Sequence, residues 1–425
     1  MKKRGDGEVV PRKGFMFVRR AFLAMLNGSF AARVGRWLLR HPLVSRLTGR
    51  MTRRLPPPNP RKVVFASFSG SIDCNPKYIA RQLMSRHAGL DVVWVLGPVP
   101  YRRLGNALPC GVRAVCLGTL SALREIATAG VLIENAQVFV GAGMPDKRKG
   151  QFYLNTWHGS LGIKRLNSAT PRIREFARRA EGAVDVLLSN SRFEDEVFAS
   201  SLFPRTPLAR IGHPRNDIFF WPEGERKALA TRVREQIGVR AGERIAIYAP
   251  TFRHGGFYVG ATRFDFERWR QAFECRFGGT WRMTVRLHPH DSKALADGVF
   301  SLPKSVIDVS AYPDMQELLI TADAGVTDYS SWIFDYLLGD GIGFVFAPDK
   351  AAYDQSRGFY YPLEETPFPV AETESSLCEN IRRFDAAKYA ADRERFLAAR
   401  GCMEDGHAAE RAVELIERHW KGSVR

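Results

Sequence analysis

Several things are missing from this sequence, and each omission narrows what the protein does. No apolar run approaches the roughly 20 residues that a membrane-spanning helix needs. The apolar stretch near the start is short and interrupted by arginine, unlike a cleaved signal peptide. The six cysteines (Cys74, Cys110, Cys116, Cys275, Cys378 and Cys402) are scattered, with no CxxC pair and no histidine at zinc-finger spacing. That argues against a disulfide scaffold or a structural zinc site and fits a reducing cytosol. The sequence has no P-loop, GxGxxG turn, HExxH helix or GxSxG elbow, so P-loop NTP hydrolysis, zinc proteolysis and α/β-hydrolase chemistry lack support. Internal repeats and low-complexity tracts are absent as well.

What is present is an ordinary globular composition, 45% hydrophobic and 25% charged, over 425 residues. That length suffices for two or three domains. The net charge of +18 sits mostly at one end: residues 1–54 hold fourteen Lys and Arg against two acidic residues, an excess of +12. There Phe15, Phe17, Val18, Phe22, Leu23, Leu26, Phe30, Val34, Trp37 and Leu38 interleave with Arg19, Arg20, Arg33, Arg36 and Arg40. The spacing predicts amphipathic helices lying on an anionic membrane surface, each basic side chain contributing about 1 kcal/mol there. A helix pair packed on the body is the plainer alternative. Nucleic-acid binding lacks a recognition motif.

Leu55-Pro56-Pro57-Pro58-Asn59-Pro60 reads as a stiff linker. Beyond it, short β-rich runs alternate with helical segments. Strands are predicted at Arg61–Phe68, Leu90–Leu96, Gly130–Glu134, Phe152–Thr156, Val184–Ser189, Ile245–Tyr248, Met283–Leu287, Ala324–Thr327 and Gly343–Phe346, with a helix at about Pro76–His87. This alternation predicts an α/β protein with parallel sheets covered by helices on both faces. The domain reading is a basic segment at 1–54, one Rossmann-like half at 55–236, a second at 237–385, and closing helices at 386–425.

In such sheets ligands bind beyond the carboxyl ends of the strands, and three strand-end turns carry chemistry there. In Asn155-Thr156-Trp157-His158-Gly159-Ser160, His158 follows a strand and Gly159 admits close backbone approach. A proton acceptor and a packed structural histidine are both open readings. In Thr284-Val285-Arg286-Leu287-His288-Pro289-His290, Arg286 suits a phosphate, and the HxH pair lacks an evident third metal ligand. In Val326-Thr327-Asp328-Tyr329-Ser330-Ser331, the serines open a helix and serve either as a phosphate cradle or as a plain cap. Ser191 to Glu194 is a capping box, for which a structural role suffices. The loops Gly212–Asp217 and Tyr248–Arg253 are dense in polar groups. No DxD metal motif occurs, and Asp265-Phe266-Glu267 is a poor substitute.

Taken in order, FASFSGSIDCNPKYI (65–79), NTWHGS (155–160), LLSNSRFEDEVF (187–198), GHPRND (212–217), YAPTFR (248–253), RLHPH (286–290), ITADAGVTDYSSWIFDY (320–336) and RGFYYPLEE (357–365) resemble the CDP-glycerol glycerophosphotransferase family of teichoic acid and capsule polyol-phosphate transferases. The resemblance implies a GT-B-like fold of two Rossmann-like halves facing a cleft, preceded by an amphipathic membrane-facing segment. It implies transfer of glycerol phosphate or ribitol phosphate from CDP-glycerol or CDP-ribitol to a glycan or polyol-phosphate acceptor, at the cytoplasmic face of a membrane. It places the essential histidines at His158 and His288. The donor-phosphate residues fall at Arg286, Thr251, Arg253, Thr327, Asp328, Ser330, Ser331, Arg357 and Glu364. Gly159, Ser160, Arg215, Asn216 and Asp217 are assigned to the acceptor side or the cleft. The resemblance fixes no cofactor, and a divalent ion such as Mg is compatible. The rival readings are a GT-B glycosyltransferase using a nucleotide sugar and an inactive nucleotide-binding scaffold on a membrane.

Overall fold

The computed structural model describes residues 51–52, 54–104, 108–141, 147–166, 178–179, 181–251, 253 and 264–422. The basic segment predicted at 1–54 lies, except for Met51, Thr52 and Arg54, outside the described residues. All nine predicted strands occur, within two all-parallel sheets. The chain divides into two compact units. One comprises the described residues up to Ile72 with His87–Tyr153; the other comprises Asp73–Arg86 with Leu154 onward.

In the first unit the strands β1 (Asn59–Ala66), β2 (Asp91–Leu96), β3 (Val112–Cys116) and β4 (Ala129–Glu134) lie in the order β3-β2-β1-β4. Val63, Val64 and Phe65 of β1 and Val92 to Leu96 of β2 are fully or almost fully buried. Continuous apolar runs of this kind mark strands covered on both faces. Phe65 stacks on Trp94 with ring centroids 5.2 Å apart. The helix Leu120–Thr128 starts where the Thr119 side chain accepts the Ala122 N–H, and it buries Ala122, Leu123, Ile126 and Ala127. A Cβ on Gly130 would lie 2.5 Å from Pro60 Cα, so β1 and β4 approach this closely only at glycine.

The second unit opens with the helix Cys74–Arg86 and takes up the rest of the chain from within β5 (Phe152–Asn155). There β5, β6 (Val186–Ser189) and β7 (Leu208–Arg210) pair in parallel. The six later strands are β8 (Glu243–Tyr248), β9 (Thr280–Val285), β10 (Ile307–Asp308), β11 (Ala324–Thr327), β12 (Ile342–Phe346) and β13 (Val370–Ala371). Their order is β10-β9-β8-β11-β12-β13, the doubly wound 3-2-1-4-5-6 pattern. Direction of winding reverses between β8 and β11, so the crevice that such sheets reserve for ligands lies beyond Tyr248 and Thr327. The core beneath it is aromatic: Trp269 meets Tyr248 and Phe346 edge-on at 5.3 Å each.

The closing helices expected at 386–425 are Ala386–Ala399 and Ala408–Gly422. The break between them contains Gly401 and Gly406, both in the left-handed region at φ +61° and +87°. Among the described residues no helix is long and apolar enough to cross a membrane.

Candidate active site

The turn after β5 is held from several directions. Asn155 Oδ1 accepts the Trp157 N–H at 2.9 Å, and Trp157 itself sits at φ +54°, an unfavourable region for a bulky residue. Asn75 Nδ2 donates to the Thr156 and Trp157 carbonyls at 2.9 and 3.1 Å. Arg215 Nη2 donates to the Gly159 carbonyl at 2.7 Å. The Trp157 ring packs edge-on against Phe198 and Phe203. The backbone is therefore fixed on both sides of His158, whose ring lies 4.7 Å from that of Trp157 while the residue stays exposed. A rigid turn presenting an exposed imidazole is the geometry a general base needs.

The residues that fix this turn form a buried charged cluster. Arg215 pairs with Asp335 at 2.9 Å, and its own N–H reaches Asn75 Oδ1 at 3.0 Å. Burial opposes the Arg215 charge, but Asp335 and the Cys74 thiol outweigh it and raise the guanidinium pKa. Asn216 donates to Asp335 at 3.0 Å and to Glu404 at 2.8 Å. Asn190 joins Ser160 Oγ at 2.8 Å to Glu404 at 3.0 Å. His213 Nε2 lies 3.1 Å from Glu194. Burial pushes the Glu404 carboxyl up to about 7, against the lowering influence of His213, Asn216 and Asn190. Asp217 accepts the Ala408 and Ala409 N–H groups at 2.9 and 2.7 Å, capping the helix Ala408–Gly422. Burial raises its carboxyl to about 6. Ser160, Arg215, Asn216 and Asp217, expected at the acceptor side, are thus buried and bonded within the fold, and only Gly159 shares their partly exposed border with His158.

After β9, the Arg286 N–H donates to the Tyr248 carbonyl at 2.9 Å and the Leu287 N–H to Ser310 Oγ at 2.8 Å. His288 follows, exposed, and its carbonyl accepts the Ser292 N–H at 2.9 Å as the helix Pro289–Ala296 begins. The Arg286 guanidinium is largely buried. Desolvation lowers its pKa, opposed by Asp314 and Asp73, and its Nη1 has no hydrogen-bond partner.

The crevice at the reversal of winding collects the remaining candidates. Thr327 Oγ1 donates to the Ala249 carbonyl at 2.7 Å. Buried Asp328 accepts the Thr251 N–H at 2.8 Å and pairs with Arg253 at 2.8 Å. Arg253 also pairs with Asp349 at 2.7 Å and lies over the Tyr329 and Tyr353 rings, 5.0 and 4.8 Å from their centroids. Desolvation opposes its charge, but the two carboxylates raise its pKa. Ser330 and Ser331 precede the short helix Trp332–Tyr336, Ser331 makes no capping bond, and neither hydroxyl has a partner among the described residues. The Thr251 hydroxyl is likewise unpartnered.

One close approach joins this crevice to the His158 turn. A Cβ on Gly162 would lie 3.2 Å from Ser331 Cβ, so the chain four residues past His158 runs directly against the serine turn. It continues as Ile163–Arg165, which pairs antiparallel with Gly358–Tyr360. That pairing brings up Arg357, whose buried Nε has no partner, and Lys164, whose ammonium has no hydrogen bond or ion pair among the described residues. Lys164 and Asp335 were not among the residues picked out from sequence. The available signal for Asp335 was a carboxylate inside the apolar run Trp332–Leu337. Glu364 lies elsewhere: it is exposed, pairs with Lys350, and lines a cleft of about 890 Å³ with Arg383, Lys388 and Asp392. Asp265 caps the helix Phe266–Phe277 through the Arg268 N–H, and Glu267 pairs with Arg270. No group of three His, Cys, Asp or Glu side chains at metal-ligating spacing occurs among the described residues.

Comparison with known proteins places this arrangement. The chain is 26% identical over 383 residues to the teichoic acid poly(glycerol phosphate) polymerase of Staphylococcus epidermidis, covering 85% of this chain but 51% of that protein. This chain therefore spans about half of that relative's length. A teichoic acid poly(glycerol phosphate) polymerase of Bacillus spizizenii is 25% identical over 393 residues, covering 88% of this chain and 95% of its own. Among solved structures, the wall teichoic acid polymerase TagF shares the fold at TM-score 0.76 and 24% identity, over 98% of this chain and 100% of that one. One TagF structure comes from a variant soaked with CDPG. The architecture is GT-B-like, as the sequence led us to expect. The model of the CDP-glycerol:poly(glycerophosphate) glycerophosphotransferases matches residues 47–418, and the chain belongs to that family.

Proposed function

We propose that this chain transfers glycerol phosphate, or ribitol phosphate, from a CDP-activated donor to a hydroxyl of a glycan or polyol-phosphate acceptor, releasing CMP. The observation that supports this reading is the approach of Gly162, four residues past His158, to Ser331, whose hydroxyl, like that of Ser330, has no partner among the described residues. Family membership and the soaked TagF structure support the choice of donor. In the reaction the acceptor oxygen bonds to the phosphorus that carries the polyol, the bond to the bridging oxygen breaks, and CMP leaves with that electron pair. His158 takes the hydroxyl proton. The crevice residues Ser330 and Ser331, with His288 and Arg286 from the turn after β9, hold and neutralise the diphosphate oxygens. The charge excess in residues 1–54 supports peripheral attachment at the cytoplasmic face of an anionic membrane.

The test is CMP release from the full chain given CDP-glycerol or CDP-ribitol, with glycan or polyol-phosphate acceptors on anionic vesicles. Release with one donor names the polyol, and His158→Ala is expected to lose about 10²–10⁴-fold in rate. Full activity of that variant would remove His158 from the mechanism. Folded protein that releases nothing from either donor but turns over a nucleotide sugar would move the chain to the glycosyltransferases.

A further inference from the structure

Two cations stand out in the second unit because neither has an ion pair or a side-chain hydrogen bond among the described residues. Arg253 uses both nearby carboxylates, pairing with Asp328 at 2.8 Å and with Asp349 at 2.7 Å, and Tyr329 also donates to Asp349 at 2.8 Å. That leaves Lys164 and Arg357 without an ion pair or a side-chain hydrogen bond among the described residues. Both are placed by backbone: Lys164 bridges to Phe359, two residues beyond Arg357, and Phe359 packs against the stacked pair Tyr329–Tyr353. Both side chains are half-buried, and a partly desolvated cation without a counter-ion costs a fold stability unless a ligand supplies one. The group that fits here is an anion with two charges and several acceptor oxygens, close to hydroxyls that also lack partners.

We propose that Lys164, together with Arg357, binds the diphosphate of the nucleotide donor. This rests on the reading of the chain as a transferase using a CDP-activated donor, and it assigns to that site a residue four positions past the end of the NTWHGS motif. The groups facing Lys164 come from three elements: Asp328 after β11, Arg253 after β8 and Arg357 at the end of the helix Lys350–Arg357. Burial lowers the lysine pKa to about 8; Asp328 raises it, and the two arginines lower it further. The free site therefore begins to lose this charge just above neutral pH, and a bound diphosphate holds the proton on.

The experiment is binding of CDP-glycerol, CDP and CMP to the full chain by calorimetry, at pH values from 6.5 to about 9.5, an interval chosen to span the lysine's titration. In Lys164→Gln the Kd for CDP-glycerol and CDP rises about 10- to 100-fold at pH 7, the range expected for one charge-assisted hydrogen bond, and CMP loses less. In the wild type, affinity for CDP falls as pH rises through about 8. Lys164→Arg, whose guanidinium stays charged, binds at neutral pH and lacks that fall. An unchanged Kd in Lys164→Gln, or an equal loss for CMP and CDP, overturns the assignment. If Lys164→Gln does not fold, the Lys164→Arg profile decides, and a fall that persists there overturns it. Wild-type protein that binds no cytidine nucleotide removes the donor reading itself, and this assignment with it; wild-type binding with an indifferent Lys164→Gln removes only the assignment.

Discussion

The second unit contains two buried clusters of charge that are built on opposite terms. Around Asp335 the buried arginine has its counter-ion: Arg215 pairs with Asp335, Asn216 bridges Asp335 to Glu404, and His213 lies 3.1 Å from Glu194. Around Asp328 the balance fails: Arg253 takes both carboxylates, and Lys164, Arg357 and the Ser330 and Ser331 hydroxyls are left over. The first cluster fixes the backbone on which His158 stands. In our proposal a bound diphosphate completes the second. A polar motif in a strand-end loop is thus no guide to function by itself; whether its cations have counter-ions in the fold is the distinction our proposal draws between bracing and binding.

Substitutions that act with opposite sign on the two clusters test this contrast. The largest effect belongs to Asp335→Ala, which leaves Arg215 buried without its counter-charge and is expected to destabilise the protein by about 3–5 kcal/mol in denaturant unfolding. A loss under 1 kcal/mol would mean that the first cluster is not the brace described here. Next is Lys164→Met, which removes a half-buried cation with no ion pair among the described residues and is expected to stabilise the unliganded protein by about 1–3 kcal/mol at pH 7. The sign follows from the lysine pKa of about 8, below its ordinary 10.5. Between these values the unfolded chain holds a proton that the folded one releases, so wild-type stability rises as pH rises through this window. The advantage of the methionine variant is therefore full below pH 8 and gone above pH 10.5; a gain that ignores pH would point to packing instead. The smallest effect is that of Ser330→Ala and Ser331→Ala. Hydroxyls without protein partners contribute little to the fold, so unfolding midpoints stay within about 0.5 kcal/mol of wild type while CDP affinity drops. A large loss of stability in either would give these serines a structural role.

Much of the architecture was legible from the sequence because buried parallel strands read as continuous apolar runs. The strands that escaped, β3, β7, β10 and β13, are short, and β10 and β13 have only two residues each. The break between the closing helices was written in Gly401 and Gly406. The turns holding His158, His288, Ser330 and Ser331 were legible as strand ends. What the sequence could not convey is which polar residues already have partners. The six polar-rich residues of Gly212–Asp217 read as a surface for a ligand, but Arg215 and Asn216 meet Asp335 across 120 and 119 positions. Lys77 likewise finds Asp314 across 237 positions. Pairings this distant appear only once the chain is folded.

The contact between Gly162 and Ser331 also sets a mechanical tolerance. At that point only the α-carbon hydrogens of Gly162 fit easily: a Cβ there would come within 3.2 Å of Ser331 Cβ, so a larger residue would push the two segments apart. Catalytic rates respond steeply to misplacements of about 1 Å. If His158 and Ser331 act as we propose, this contact four residues from the histidine helps to set their spacing by backbone thickness, a dimension that salt and pH leave unchanged.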